Sequence, residues 1–486
     1  MARSRSPLRS TTTLLLASAL LAGAAPGATP LAAQAPGRDR ARLTATGAGP
    51  SIAERYAATA ERIIAAATAD SVAWERIAYL TDTFGPRLSG STSLERAIDW
   101  VLAEMERDGF ENVRGEPVLV PHWERGEESA ELLSPRRARL SMLGLGGSVG
   151  TPPAGIEADV LVVGSFDELA ARAGEARGRI VLFDVPFTNY GETVQYRSRG
   201  AIEAARVGAV AALIRSVASF SIRSPHTGAV GYDANVPPIP AAALAVEDAA
   251  MLRRMQARGQ PVRLRLTMGA RTLPDARSRN VVAELVGSER PDEIVVLGGH
   301  TDSWDVGTGA MDDAGGSVAA WHAVRLLKDL GLRPRRTIRV VLWTNEENGL
   351  RGGIAYRDAH RHELARHVVA IETDGGVFRP RGFGFTGDSA AFDVVRQIGS
   401  LLAPIGADTI RHGGGGADIG PIMREGVPGM GLEVDASKYF WYHHSHGDTV
   451  DKLDPHDVNL SVAALAIMAY VLADLPDPLP RAPALE

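Results

Sequence analysis

The sequence predicts an α/β protein built on a mostly parallel, helix-flanked sheet, interrupted in its first half by a second, β-rich region. Three observations carry this. After about Ser278, short apolar runs alternate with helical periodicity, the rhythm of parallel strands joined by crossover helices. Between about His122 and Arg279, short β-type runs alternate with Gly and Pro. Acidic and imidazole side chains collect where the later strands give way to loops, which is where ligands gather in such sheets.

Residues 1–34 read as an export signal. Arg3, Arg5 and Arg9 precede an apolar run from Leu14 to Ala25, and small residues follow as far as Leu31-Ala32-Ala33-Gln34. The run is too short for a stable membrane anchor, so the mature chain is expected to be secreted or periplasmic. The stretch 35–52 is rich in Ala, Gly, Arg and Thr and reads as a flexible lead-in. Helical spacing then runs from Ile52 to Ala67 and from Ser71 to Thr83, ending at Phe84-Gly85-Pro86-Arg87. A third helix spans Ser93 to Asp108, with Ala97, Val101 and Met105 on one face, and closes before Gly109. Glu116–Val120 reads as a strand. These pieces, 35–120, form the N-terminal part of the main domain.

Residues 121–279 read as an inserted domain of mixed β and α structure. Its strands include Ala158–Val163, Arg179–Val185 and Ala209–Ile214, with a helical stretch at Ser198–Val207. It shows no cluster of acids, histidines or nucleophiles. The main domain resumes over 280–476, with 477–486 as a tail. Its strands are Ile294–Leu297, Thr337–Trp343, Val368–Ile371 and Val427–Leu432. Its helices are Gly315–Leu330, Ala390–Leu402 and the apolar Asp457–Leu472.

Composition narrows the function. Of 486 residues, 45% are hydrophobic and 23% charged, as in a soluble protein with a large core. The net charge of -6 argues against a nucleic-acid partner. There are no cysteines, so disulfides, thiol nucleophiles and cysteine-rich zinc sites are excluded. Any metal must be held by imidazole and carboxylate, which suits zinc, manganese or cobalt.

The chemistry lies between His300 and His446. In His300-Thr301-Asp302 the two outer side chains share one side of an extended segment, so Asp302 can orient the imidazole. In Asp312-Asp313, flanked by Gly and Ala, Asp313 suits the cap of the following helix and leaves Asp312 free to ligate. One carboxylate can bridge two cations. Glu346-Glu347 follows a buried strand, and two adjacent acids there are costly unless paired or metal-bound. One can ligate while the other faces a water held by the metal. Asp374 can complete a metal shell, with Glu372 as competitor. The run His443-His444-Ser445-His446 supplies a further imidazole, and spacing alone leaves open which one.

The order His-x-Asp, Gly-Ala-x-Asp-Asp, Glu-Glu, Asp and His-x-x-x-Asp-Thr resembles the co-catalytic zinc peptidases of the M28 class, and within them the carboxypeptidase Q branch. Supporting stretches are Val120–Trp123, Phe187–Thr193, Ser224–Gly228, Gly413–Pro421 and Tyr439–Thr449. The resemblance implies a zinc-exopeptidase domain with a protease-associated insert and two zinc ions per chain. It implies His300, Asp374 and His444 as terminal ligands, Asp312 as the bridge, Glu347 as a ligand and Glu346 as general base. His444 is singled out because it stands four residues before Asp448. It further implies an exported enzyme, often a homodimer, that cleaves dipeptides or short peptides with free termini. The expected function is therefore an exported dizinc exopeptidase in which Glu346 deprotonates a metal-bridging water. Three rivals remain: a glutaminyl-cyclase-like single-zinc acyltransferase, a non-catalytic binding protein on the same fold, and a metal-dependent amidase for a non-peptide amide.

Overall fold

The computed structural model describes residues 50–481. The expected export signal over 1–34 lies outside the described residues. Ser51 opens the first helix, Ile52–Thr68, with a capping box: its Oγ accepts from Glu54 N, and the Glu54 carboxylate accepts from Ser51 N at 2.8 Å. The helices Val72–Phe84 and Thr92–Arg107 follow.

The main sheet has eight strands, in the spatial order Glu111–Glu124, Arg271–Leu285, Arg336–Trp343, Arg290–His300, His367–Glu372, Gly429–Val434, Pro380–Thr386 and Thr409–His412. The four strands from Arg336–Trp343 to Gly429–Val434 are mutually parallel. Antiparallel pairing appears on either side of them, so the sheet is parallel at its centre and mixed towards its edges.

Side-chain alternation explains why both faces are apolar. Val281, Val295, Leu297, Val340 and Ile371 point into one cluster, shared with the N-terminal helices, Gly315–Asp329 and Pro455–Asp474. Val282, Val296, Val341 and Ala370 point into the other, with Tyr356, Ile419 and Ile422. The helix Pro455–Asp474 is long and apolar enough to cross a membrane by composition, but it is buried within the fold.

Residues 128–268 supply all eight strands of a second sheet. Glu111–Glu124 and Arg271–Leu285 are hydrogen-bonded antiparallel, and Glu124 faces Arg271. The chain therefore leaves the main sheet and returns to it at the same point. The first of these strands is much longer than the expected Glu116–Val120, and the second was not expected, because Arg, Asp and Pro residues obscure the β pattern.

Leu465, fully buried on Pro455–Asp474, tests this core. Leu465→Ala is expected to lower the stability to urea unfolding by about 2–5 kcal/mol. Ile222→Ala, at a residue 81% exposed, should change it by less than about 0.5 kcal/mol. Equal midpoints for the two variants would contradict the assignment.

Candidate active site

Each acid or imidazole of interest stands just beyond the carboxyl end of a central strand or on a loop that crosses there. His300 ends its strand in register with Trp343, three residues before Glu346. Its Nδ1 lies 3.0 Å from the Asp302 main-chain carbonyl, and its Nε2 lies 3.2 Å from both Asp312 Oδ1 and Asp374 Oδ1. Close packing at this strand end requires glycine. A Cβ on Gly299 would come within 2.2 Å of Asp313 Oδ2, and one on Gly316 within 2.0 Å of the Thr373 carbonyl.

Asp302 differs from the sequence expectation. The expected partner for the His300 imidazole was its carboxylate, but the closer contact is its main-chain oxygen. The reason is competition. Its two carboxylate oxygens accept from Glu346 N at 3.1 Å and Glu347 N at 3.3 Å. Asp302 thus ties the Glu346-Glu347 turn to the His300 strand. Asp313 accepts from His300 N and Gly316 N, both at 3.0 Å, and so caps the next helix.

Asp312 stands between two imidazoles. Its Oδ1 faces His300, while Oδ2 lies 3.3 Å from His444 Nε2 and 3.6 Å from His443 Nε2. His444 Nε2 also lies 3.0 Å from Glu347 Oε2. Of the three candidate histidines, His443 and His444 face this cluster with stacked rings, and His446 is exposed. Glu372 points away from it, its Oε2 accepting from Ile419 N at 2.8 Å. Asp374 is thus the acid of that pair that meets His300.

A cavity of about 340 Å³ is lined by Asp312, Glu346, Glu347, Asp374, His443 and His444, together with Tyr190, Arg197, Tyr439 and Phe440. Tyr190 and Arg197 come from the helix Tyr190–Arg206 of the segment that carries the second sheet. Tyr190 falls in the stretch Phe187–Thr193 that carries the resemblance, but nothing local marked Arg197; a lone arginine on a helix has no spacing to read. The same segment supports His444, whose backbone sits at φ 58°. Thr227 N donates to the His444 carbonyl at 2.9 Å, and His226 Nδ1 lies 2.6 Å from the His443 carbonyl.

The electrostatics call for a cation. Burial pushes the Glu346 and Glu347 carboxyls well above their usual range, with neighbouring acids adding to it. Burial acts in the same direction on Asp312, but the His300 and His444 imidazoles outweigh it and hold that carboxyl well below its usual range. Asp312 Oδ2 and Glu347 Oε1 are buried without hydrogen-bond partners, which is costly in a protein interior. Ligand atoms of Asp312, His443 and His444 converge, as do those of His300, Asp313 and Asp374, each set within 4.8 Å. Asp313 is already spent on two backbone N–H groups. Donors bound to one tetrahedral zinc at ~2.0–2.1 Å lie about 3.3 Å apart, close to the separations seen here. The residues fit divalent cations.

Residues 280–469 match Peptidase family M28. The chain is 52% identical to carboxypeptidase Q of Homo sapiens over 413 residues, covering 85% of this chain and 88% of that protein. It is also 52% identical to carboxypeptidase Q of Mus musculus over 408 residues, 84% of this chain and 87% of that protein. The crystal structure of a peptidase M28 precursor from Shewanella amazonensis superimposes with a TM-score of 0.85 at 37% identity, covering 88% of this chain and 99% of that one. With this fold, this sequence similarity and this cluster of acids and imidazoles together, the chain belongs to peptidase family M28, on its carboxypeptidase Q branch, and is a metallo-exopeptidase.

Proposed function

We propose that the protein is an exported dizinc exopeptidase that hydrolyses dipeptides or short peptides with free termini. The observation that carries this is Asp312, which offers one oxygen to His300 and the other to His444. A carboxylate between two imidazoles suits a bridge between two cations. His300 and Asp374 would hold one, Glu347 and His444 the other, and Asp312 both. The donor set suits zinc. Two such cations supply Lewis acidity towards a scissile carbonyl and towards water.

Glu346 lines the cavity beside the ligands. Its role is to take the proton of the attacking water and return it to the leaving amine nitrogen. Asp302 acts as a positioning residue, holding Glu346 and Glu347 through their backbone N–H groups. Residues 121–279 act as a protease-associated insert, and their side chains reach the substrate cavity.

Arg197 selects the substrate end. It is the only arginine or lysine among the lining residues. Its Nη2 donates to Tyr190 Oη at 2.7 Å, its Nη1 lies 3.3 Å from His444 Nδ1 and donates to the Thr227 carbonyl at 3.4 Å, and its buried Nε has no partner. A guanidinium in a cavity that also presents the carboxylates of Asp312, Glu346, Glu347 and Asp374 suits the free carboxylate of a peptide C-terminus. This agrees with the carboxypeptidase activity named for the relatives.

Three outcomes follow from this reading. Glu346→Gln should retain its metal and lose about 10²–10⁴ of kcat on a dipeptide; near-normal turnover in metal-replete protein would exclude the base. Stripping metal with a chelator should abolish hydrolysis and lower the thermal midpoint, and added zinc should restore both. At a hundredfold excess over Kd the cation contributes about 2.7 kcal/mol of stability, so an unchanged midpoint would contradict the site. The wild-type enzyme should prefer a dipeptide to its C-terminal amide. Arg197→Gln should reduce that kcat/KM ratio about 10- to 100-fold, the loss expected for a charge-assisted hydrogen bond; an unchanged ratio would remove Arg197 from substrate selection.

A further inference from the structure

Arg87 is fully buried, one of the largest side chains of the protein with no exposed surface. All its guanidinium hydrogen bonds go to main-chain carbonyls. Nε donates to Thr301 O at 2.9 Å, Nη1 to Gly85 O at 3.0 Å and Thr308 O at 2.7 Å, and Nη2 to Gly309 O at 3.0 Å. Its own backbone joins the same segment: Arg87 N donates to Ser303 Oγ at 3.0 Å, and Ser303 N donates to Arg87 O at 3.2 Å. The carboxylates of Asp448, Asp302, Asp313 and Glu347 act on the guanidinium through space.

The opposite polarity of the same loop is held from the other side. Asp448 Oδ1 accepts from Ala310 N at 3.0 Å and Met311 N at 2.7 Å, and Oδ2 accepts from Asp312 N at 3.3 Å. The join between the two sets of bonds is Gly309, at φ +57°, where a Cβ would come within 2.3 Å of Ser303 Cβ. The loop from Thr301 to Asp312 is therefore gripped by a cation on its carbonyls and by an anion on its N–H groups. It carries Asp302 and Asp312, and His300 immediately precedes it.

We propose that Arg87 is a positioning residue for cation binding: its fork of donors moulds the 301–309 carbonyls so that Asp302 and Asp312 are pre-set before any metal arrives. The inference rests on the two-cation reading of the site. Two physical roles for Arg87 predict opposite signs. If the guanidinium acted only as a buried positive charge, removing it would leave the acids more negative and tighten cation binding. If it acts by shaping the loop, losing the fork weakens binding, as loss of outer supports does at other metal sites.

The test is a zinc titration of the full chain, stripped of metal and monitored by chelator competition, for wild type, Arg87→Lys and Arg87→Gln. Lysine keeps the charge and cannot span four carbonyls. Both variants are expected to bind zinc about 10- to 100-fold more weakly. In metal-free Arg87→Lys the amides of Ala310, Met311 and Asp312 should exchange hydrogen faster than in wild type, while those of Arg336–Trp343 do not change. Should Arg87→Gln fail to fold, the lysine variant alone decides. Zinc binding as tight as wild type in Arg87→Lys, or tighter in Arg87→Gln, would overturn the proposal. A wild-type chain that binds no zinc would instead overturn the reading of the site on which it rests.

Discussion

The arrangement of this protein depends on burying several carboxylates together. Asp302, Asp312, Asp313, Glu347 and Asp448 are all buried at one end of the central strands. Isolated charges in such a place are expensive, and like charges repel. Backbone N–H groups satisfy some of them: Asp313 caps a helix, Asp302 holds the Glu346-Glu347 turn and Asp448 holds the Asp312 loop. What those bonds leave over is a small set of unpartnered oxygens around Asp312 and Glu347. That residue of unmet charge is what a divalent cation would answer.

The frame around this end follows from the same constraint. Three neighbouring parallel strands bring His300, the Glu346-Glu347 turn and Asp374 side by side from distant parts of the sequence. Gly299 and Gly316 allow the loops to close over the strand ends. The segment carrying the second sheet hydrogen-bonds to the His443-His444 turn and reaches the cavity with Arg197 and Tyr190. It therefore contributes to the geometry of the site as well as to its walls.

Much of this was legible in the sequence, for identifiable reasons. Continuous apolar runs such as Thr337–Trp343 mark buried parallel strands, and acids following them stand out. The uniform apolar helix near the C-terminus was legible too, because burial on all sides leaves no polar face. Arg271–Leu285 was hidden by charged residues along its exposed first half. Residue spacing alone left His443, His444 and His446 open, since the choice depends on a turn with His444 at positive φ; only the resemblance, through the position of His444 four residues before Asp448, singled it out. Arg87 and Arg197 were invisible as functional groups. Their roles arise from carbonyls and cavities assembled by remote segments, and a single arginine carries no periodicity.

The most direct measurement is anomalous diffraction at the zinc edge from crystals of the zinc-loaded protein. Two peaks per chain are predicted, one beside His300 and Asp374, the other beside Glu347 and His444, with the Asp312 carboxylate between them. A single peak, or peaks remote from Asp312, would contradict the account.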